Sequence, residues 1–436
     1  MKRFFKVINI TLILIFSFIA CGNVTSTKAQ TSIDAVAKYL STATGGADKE
    51  NPIPLVVKID LQNMLASDSG WKKLLNAINT AGKYVALDLS ACTMPGTEFN
   101  PDSGFADGKK FITYLILPDT AESIAGMSSS DQYPTFWHFV SLADIPIGKK
   151  IASIGTAAFS RCELTSVSFP NTITTIGEAA FYNNHLTNVT FPNSVISIGD
   201  GSFQENELSS VTIHNSVTSI GNRAFSDNYL TSVTIGNGVT TIGYNAFSYN
   251  SLTNITIPDS VVTIEREAFI FNRLTNVIIP NSVTFIGEKA FANNKLNGVT
   301  IGSGVTEISS NAFSNNQITS VTIPGSVITI DNEAFRDNQI TSVTISNGVT
   351  TIGYSAFYGN LLTSIVIPNS VTSLGGNSFY GNELTSITIG ANVYLDMYRT
   401  SLDSGWYRRF CDFYNNNGKQ AGTYVRPSNS TTWTRQ

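Results

Sequence analysis

Apolar residues recur along most of the chain at a fixed interval of 22 residues. Such an interval indicates identical supersecondary units stacked side by side, each too small to bury its apolar face alone. The pattern therefore predicts a solenoid. Its clearest column is a phenylalanine that occurs eleven times without an insertion or deletion between copies: Phe159, Phe181, Phe203, Phe225, Phe247, Phe269, Phe291, Phe313, Phe335, Phe357 and Phe379.

Each unit is predicted to hold two short strands joined by turns. In the copy that starts at Leu230, alternation places Val233 and Ile235 inward and Ser232 and Thr234 on the opposite face. The same columns recur in the other copies. These residues follow the L-x-x-L-x-L pattern of leucine-rich repeats.

The second strand of the unit supplies a second set of inward residues. Val239 and Ile242 are apolar in this stretch, and Phe247 is predicted to close the far wall. Gly243 lies between them, in a column that is glycine in eight of eleven units. That preference predicts a turn with positive φ or a close approach of two backbones.

The register extends toward the N-terminus with wider spacing. Three apolar sets lie 28 residues apart, and a unit of that length accommodates a helix, which capping and apolar spacing predict at residues 68–79. We therefore expect one mainly β leucine-rich-repeat solenoid of roughly fifteen turns, more helical at its N-terminal part. The three sets are Val56, Ile59, Leu61; Tyr84, Leu87, Leu89; and Ile112, Leu115, Leu117.

The ends of the solenoid are predicted to be atypical, because stacked arrays need caps that stop end-to-end association. Residues 424–433 are predicted to form a hairpin in the C-terminal cap. The expected division of the chain is 1–20, a signal peptide; 21–50, a tether; 51–141, irregular repeats and cap; 142–390, regular 22-residue repeats; and 391–436, the C-terminal cap.

The first twenty residues have the layout of a secretory signal. A basic start with Lys2, Arg3 and Lys6 precedes an apolar run that is short for a membrane span. The run ends in Phe-Ile-Ala-Cys-Gly at 18–22, which resembles the lipobox of bacterial lipoproteins and predicts lipidation of Cys21. Cleavage by the general signal peptidase is the alternative. We expect export and lipid anchoring in the bacterial envelope, at the outer membrane or cell surface. Whether the anchored protein faces outward or the periplasm stays open.

Composition and charge exclude several classes of function. Of 436 residues only 13% are charged, and the formal charge is −4, which does not favour a nucleic-acid partner. The histidines His138, His185 and His214 fall in different columns of the repeat, so we expect no metal. No catalytic motif is found, and we expect neither enzyme activity nor a cofactor.

An asparagine column invites a calcium or catalytic interpretation, but a repeated amide at a turn more simply bonds the backbone of adjacent turns as a ladder. Cys162 takes the position of Asn in the first copy, and Cys92 is predicted to have the same role further upstream. Cys411 is far from both along the solenoid, so no disulfide is expected. The asparagines are Asn184, Asn206, Asn228, Asn250, Asn272, Asn294, Asn316, Asn338, Asn360 and Asn382.

The repeats resemble the BspA-type leucine-rich repeats of bacterial surface proteins. Units such as TSVTIPGSVITIDNEAF at 319–335, echoed by ITYLILPDTAESIA at 112–125, carry the resemblance over about 60% of the chain. It implies a surface-displayed adhesin whose partner is a host extracellular-matrix or cell-surface protein, or another bacterial surface. Copies in this family often have Cys where this chain has the Asn column.

The outward face of the first strands is the predicted binding surface, because short polar side chains lose little entropy on binding. Its alternative explanation is structural, since threonine favours strands. The residues are Ser232, Thr234, Asn254, Thr256, Asn276, Thr300, Ser320, Thr322, Ser342 and Thr344.

Two sets of aromatic residues offer further candidate sites. One set either forms an exposed patch on the turn side or consists of single apolar residues of an ordinary surface: Tyr244, Tyr249, Ile270, Phe271 and Phe285. The terminal aromatics either stack on sugars or cover the last turn: Trp406, Tyr407 and Trp433. A structural envelope protein without a dedicated ligand and a carbohydrate-binding module are therefore the alternative functions.

Overall fold

The computed structural model describes residues 27–101, 107–127, 133–396 and 405–436. The predicted signal peptide and lipidation site Cys21 lie outside these residues. The chain forms two compact units. The first extends to Ile173 and includes Asn183–Leu186, and the second comprises Thr174–Tyr182 and Thr187–Gln436. The described residues are mainly β, with about 13 repeat turns and three helices, which confirms the predicted fold class with fewer turns than the roughly fifteen predicted.

The first unit begins with helix α1, Ile33–Thr42. Ser32 caps it by accepting a hydrogen bond from the Ala35 backbone N–H at 3.1 Å, and Val36 and Leu40 are buried. This helix lies inside the segment predicted as a tether, so that prediction is wrong for its C-terminal part. The cause is an apolar stripe at helical spacing in a short segment, which gives α1 a face to bury.

Helix α2, Gly70–Ala81, confirms the helix predicted at 68–79. Ser69 caps its start, and Gly82 ends it in the left-handed conformation at φ 60°. The helix packs on α1, and Trp71 also donates from its indole nitrogen to the Pro101 carbonyl oxygen at 2.9 Å. The buried residues of α2 are Gly70, Trp71, Leu74, Leu75 and Ile78.

Eight strands complete the first unit, with a 3₁₀ helix at Asp107–Phe111. Its first sheet is parallel, in the order β1-β2-β4-β6-β8, and β3, β5 and β7 form a second parallel sheet. The strands are β1 Ile53–Val56, β2 Val85–Asp88, β3 Glu98–Phe99, β4 Ile112–Ile116, β5 Ser123–Ile124, β6 Asp144–Pro146, β7 Ser153–Ile154 and β8 Ser166–Ser168.

The register of the first sheet corrects one detail of the predicted 28-residue spacing. Leu87 pairs with Leu115, as that spacing predicts, but it pairs with Leu55 on the other side instead of Ile59. Leu55 is fully buried, whereas Ile59 is only half-buried. The alternation that continues from Ile53 through Leu55 sets which side chains point inward.

The second unit has two strands in most turns of the repeat. Strands of the first kind are β11 Ser210–Ile213, β13 Ser232–Ile235, β16 Asn276–Ile278, β18 Gly298–Thr300, β20 Ser320–Ile323, β22 Ser342–Ile345, β24 Ser364–Val366 and β26 Ser386–Ile389. Strands of the second kind have two residues each: β9 Thr175–Ile176, β10 Ser197–Ile198, β12 Ser219–Ile220, β14 Thr241–Ile242, β15 Thr263–Ile264, β17 Phe285–Ile286, β19 Glu307–Ile308, β21 Thr329–Ile330, β23 Thr351–Ile352, β25 Ser373–Leu374 and β27 Tyr394–Leu395.

Only the strands of the second kind pair continuously, from β9 to β27. The first kind forms separate groups, β11-β13, then β16-β18-β20-β22, then a group with β24 and β26. Residues 254–257, between the first two groups, are not in a strand. The prediction that each unit holds two short strands is therefore wrong for this turn, and also for the turn at 188–191. The residue types at 254–257 match those of the neighbouring turns, so nothing in the pattern marks the break.

The phenylalanine column points inward, as predicted. In the second unit the rings from Phe181 to Phe379 stack in succession, with centroids 5.3–5.6 Å apart and ring planes within 11° of parallel. Each of these rings is at most 1% exposed. The ladder fills the wall opposite the strands with one aromatic side chain per turn.

The asparagine column forms the predicted backbone ladder. Asn272 donates from Nδ2 to the carbonyl oxygens of Phe247 and Phe269 at 2.8 and 3.2 Å, and its Oδ1 accepts from the Leu252 N–H at 3.0 Å. The other asparagines from Asn228 to Asn360 repeat this pattern. Each amide satisfies buried backbone groups of adjacent turns, which is the structural role expected of it.

Positive φ occurs in two columns, but not in the glycine column that was a candidate for it. Asn245 and Tyr249 have φ of 55° and 54°, and the equivalent residues of other turns share this conformation. Gly243 is instead a position of close approach, because a Cβ placed there would lie 2.6 Å from the Ile220 carbonyl oxygen. The prediction of close approach is correct, and that of positive φ is wrong.

The C-terminal cap combines helix α3, Trp406–Asn416, with strands β28, Gly422–Val425, and β29, Thr434–Arg435. The two strands pair antiparallel, as the hairpin prediction requires, and β28 also pairs antiparallel with β26. Cap side chains bond to carbonyl oxygens of the last turns: Trp406 Nε1 to Asn382 at 3.0 Å and Arg426 Nε to Leu384 at 2.7 Å. The cap thus satisfies backbone groups at the end of the array.

Candidate functional site

The predicted binding residues lie on the outward side of the first strands in the second unit. Ser232 and Thr234 are exposed on β13, where they pair with Ser210 and Thr212 of β11, and β20 and β22 repeat the arrangement. We call the ten predicted residues the first-sheet face: Ser232, Thr234, Asn254, Thr256, Asn276, Thr300, Ser320, Thr322, Ser342 and Thr344. All ten are exposed. Asn254 and Thr256 lie in a turn that has no first strand.

The side chains of the first-sheet face differ from the adjacent threonine column in their hydrogen bonds. Thr231 and Thr341 donate from Oγ1 to the backbone carbonyl oxygens of Ser209 and Thr319, both at 3.2 Å. In the described part of the chain, the ten side chains of the face have no such hydrogen bond to another protein group. Their hydroxyl and amide groups are therefore open to water or to a partner.

The predicted aromatic patch on the turn side is smaller than expected. Tyr249 and Phe271 stack with ring centroids 4.8 Å apart and are 51% and 43% exposed. Both have positive φ, 54° and 55°, a conformation that is strained for bulky residues.

The other three residues of the predicted patch have different environments. Ile270 is only 5% exposed and belongs to the core. The Tyr244 ring lies under the guanidinium groups of Arg223 and Arg266, at 5.1 and 5.8 Å, and Phe285 lies on β17 of the second sheet. The prediction of one five-residue patch is therefore wrong, because the turn places these side chains on different sides of the unit.

The terminal aromatics do not form an exposed platform for sugars. Tyr407 and Trp433 are each 2% exposed, and Trp433 packs against Trp406 and Phe410. Arg426 lies over both tryptophan rings, at 5.2 and 5.7 Å. These rings cover the last turn, so the interpretation of Tyr407 and Trp433 as sugar-stacking residues is wrong.

The three described cysteines are free and buried. Burial raises the pKa of the Cys92 thiol to about 11 and that of Cys411 to about 12, and it raises the pKa of Cys162 still further. Cys162 Sγ donates to the carbonyl oxygen of Phe136 at 3.4 Å, so it bonds the backbone as the asparagines do. Thiols that stay protonated and buried are poor nucleophiles.

The histidines have separate partners. His185 lies 3.1 Å from Glu163 on the surface of the first unit, while His214 Nε2 donates to the Phe191 carbonyl oxygen at 2.8 Å in the second. In the part of the chain that the structure describes, no group of three or more His, Cys, Asp or Glu is arranged to hold a metal ion.

Family comparison agrees with the repeat geometry. The model for the BspA type leucine rich repeat region, with six copies, matches residues 132–251, 196–319 and 306–398, well over half of the chain. The chain belongs to this family. No curated protein matches it significantly. None of the helices in the described ranges is long and apolar enough to span a membrane.

Solved structures of several other proteins are similar to this BspA-type chain. A leucine-rich repeat protein from Bacteroides ovatus is 22% identical, with 64% of this chain and 80% of that chain covered and a TM-score of 0.47. A leucine rich cell surface protein from Faecalibacterium prausnitzii is 25% identical over 62% and 82%, with a TM-score of 0.38. The pneumococcal vaccine antigen PcpA is 20% identical over 69% and 73%, with a TM-score of 0.34.

Proposed function

We propose that this BspA-type repeat protein is an exported, lipid-anchored adhesin. Its first-sheet face would bind a macromolecule on a host cell, in the extracellular matrix or on another bacterium. The observation that carries the proposal is the set of exposed, uncharged side chains on this face whose polar groups have no partner within the described protein. The protein binds without turnover.

The chemistry of the face favours adhesion to an extended surface. Ser and Thr side chains lose little rotamer entropy when a partner immobilises them, so each new hydrogen bond carries a small cost. The columns repeat with the strand spacing of about 4.8 Å, and many weak polar contacts can therefore act together. A partner of this kind is a protein or matrix polymer that lies across the strands of the second unit and follows the columns.

The core structure supports a binding role over a catalytic one. The buried asparagines, Cys92 and Cys162 bond the backbone, and the phenylalanine ladder fills the interior. These polar and aromatic columns therefore have a structural explanation. The exposed polar face is left with no such explanation beyond the strand preference of threonine.

In this proposal the lipobox-like sequence at 18–22 supplies the membrane attachment. Cys21→Ala is expected to release the protein from the membrane fraction and to abolish its labelling by a fatty-acid analogue, because the acyl chains need the cysteine. Labelling and fractionation of cells that express the parent and variant chains measure both effects. Cys92→Ala is the control and should keep both properties. Unchanged labelling of the Cys21 variant would disprove lipidation at this residue.

Solid-phase binding tests the adhesin proposal. The mature chain, residues 21–436 with Cys21→Ser to prevent acylation, is applied to immobilised matrix proteins, fixed host cells, bacterial cells and glycans. Saturable binding to a protein or cell surface is the expected result. Indifference to every surface would contradict the proposal and favour a structural envelope protein, and binding to glycans alone would also contradict it.

A further inference from the structure

A different surface of the second unit suggests a partner of another kind. The outward residues of the second sheet form two columns, which we call the second-sheet face. One column contains Ile196, Thr218, Thr240, Val262, Thr284, Thr306, Ile328, Thr350 and Thr372. The other contains Ser197, Ser219, Thr241, Thr263, Phe285, Glu307, Thr329, Thr351 and Ser373.

Large apolar side chains interrupt the threonine column at a regular interval. Ile196, Val262 and Ile328 are 52%, 41% and 52% exposed, and each is 66 residues, or three turns, from the next. At a strand spacing of about 4.8 Å, three turns correspond to about 14 Å. Tyr394 is 52% exposed and lies three turns after Ile328. Its strand is shifted by one residue relative to the repeat, so Tyr394 pairs with Ser373 and not with Thr372. The face therefore has apolar ridges about 14 Å apart.

The threonines between these ridges are more apolar than their residue type indicates. Thr240, Thr350 and Thr372 donate from Oγ1 to the backbone carbonyl oxygens of the preceding turn, at 3.1, 3.3 and 3.4 Å. A hydroxyl group that bonds the backbone leaves its methyl group as the outward-facing part of the side chain. This is the opposite of the first-sheet face, where the hydroxyl groups have no partner among the protein residues that the structure describes.

Charge and spacing together define the partner. Glu307 is the one charged residue among the eighteen positions of the two columns. A suitable partner is therefore uncharged, elongated and able to receive ridges every 14 Å. We propose that this partner is a second copy of the chain. Two copies related by a two-fold axis have the same ridge interval, so the ridges of each can lie over the threonine methyl groups of the other.

The size of the face sets the strength of this association. From Ile196 to Thr372 it extends about 40 Å along the array, and its two columns are about 7 Å wide, so each copy offers about 280 Å² of flat area. Stable complexes bury about 800 Å² per partner. The dimer is therefore weak in solution, with a dissociation constant on the order of 10–100 μM, and forms readily only where the chain is crowded, as on a membrane.

Sedimentation equilibrium of residues 21–436 with Cys21→Ser tests the proposal over roughly 1–500 μM. The parent should dimerise, and combined Ile196→Thr, Val262→Thr and Ile328→Thr should weaken dimerisation at least tenfold. These changes restore the residue type of the column, so folding is preserved, which circular dichroism checks. The matched control is Ile278→Thr with Val366→Thr, which replaces even more exposed apolar residues of the first strands and should change the constant less than twofold.

Charged variants of the second-sheet face test the dimer independently. A chain with Glu at Thr240, Thr284 and Thr350 and a second chain with Lys at the same positions should each be monomeric, because the apolar ridges of the partner would have to bury these charges. In an equimolar mixture the ridges of each copy still lie over the charged positions of the other, so the mixture should also stay monomeric. A parent that is monomeric at 500 μM, a control as damaging as the triple threonine variant, or charged chains that dimerise like the parent would each overturn the proposal.

Discussion

Phe269→Ala is expected to destabilise the second unit by about 3–5 kcal/mol. The ring is fully buried between Phe247 and Phe291, at centroid distances of 5.5 and 5.3 Å. Its neighbours are held by their own turns of the repeat and cannot move in to fill the cavity. Urea unfolding of the mature chain, followed by circular dichroism, measures the loss.

Phe285→Ala is the matched control, because the same side chain is removed from an exposed position. Phe285 is 41% exposed on β17, so its loss is expected to cost about 1 kcal/mol or less. Equal stability of the Phe269 variant and the parent would mean that the phenylalanine column contributes no packing energy. The inward assignment of the repeat would then be wrong.

Asn272→Ala is expected to cost about 2–4 kcal/mol, although it removes only a small polar side chain. Without the amide, the Leu252 N–H and the Phe247 carbonyl oxygen lose buried hydrogen bonds of 3.0 and 2.8 Å. Hydrogen exchange at the Leu252 amide should accelerate together with the loss of unfolding free energy. Asn276→Ala, at an exposed position, should change neither quantity.

A cysteine at the same position separates hydrogen bonding from packing. In Asn272→Cys the thiol can donate to the Phe247 carbonyl oxygen, as Cys162 Sγ donates to Phe136 at 3.4 Å, but it cannot replace the strong acceptor for the Leu252 N–H. The variant should therefore be more stable than Asn272→Ala and less stable than the parent. If the alanine and cysteine variants were equally stable, the backbone ladder would not explain this column.

Side-chain columns were the part of the molecule that sequence alone predicted best. A period of 22 residues places each Phe and Asn beside its equivalents in adjacent turns, so their stacking and ladder bonding follow from one copy of the unit. Strand pairing was predicted less well. Whether residues 254–257 pair with their neighbours depends on small differences in backbone geometry, and their residue types are shared with the turns that do pair.

Backbone conformation in the turns was also missed. The positive φ of Tyr249 and Phe271 occurs in a column that is otherwise rich in Asn, Asp and Gly, and this composition was the available signal. The glycine column at Gly243 is the more obvious candidate for positive φ, although its residues do not have it. The sequence predicts a tether at the position of helix α1 because the short amphipathic pattern there follows a polar segment. The stability of α1 depends on its packing against α2.

The first-sheet face is tested most directly by adhesion of a charge variant of that face to whichever surface the parent binds. The variant carries three glutamates on non-adjacent turns, which avoids like-charge pairs in the sheet: Thr234→Glu, Thr300→Glu and Thr344→Glu. A partner that lies flat on the face would have to bury these charges, so we predict at least a tenfold loss of affinity with unchanged thermal unfolding. The chain with Glu at Thr240, Thr284 and Thr350 and a chain with Tyr249→Ser and Phe271→Ser should both bind like the parent. Full binding by the first-sheet variant, with loss in either of the other two, would contradict the account.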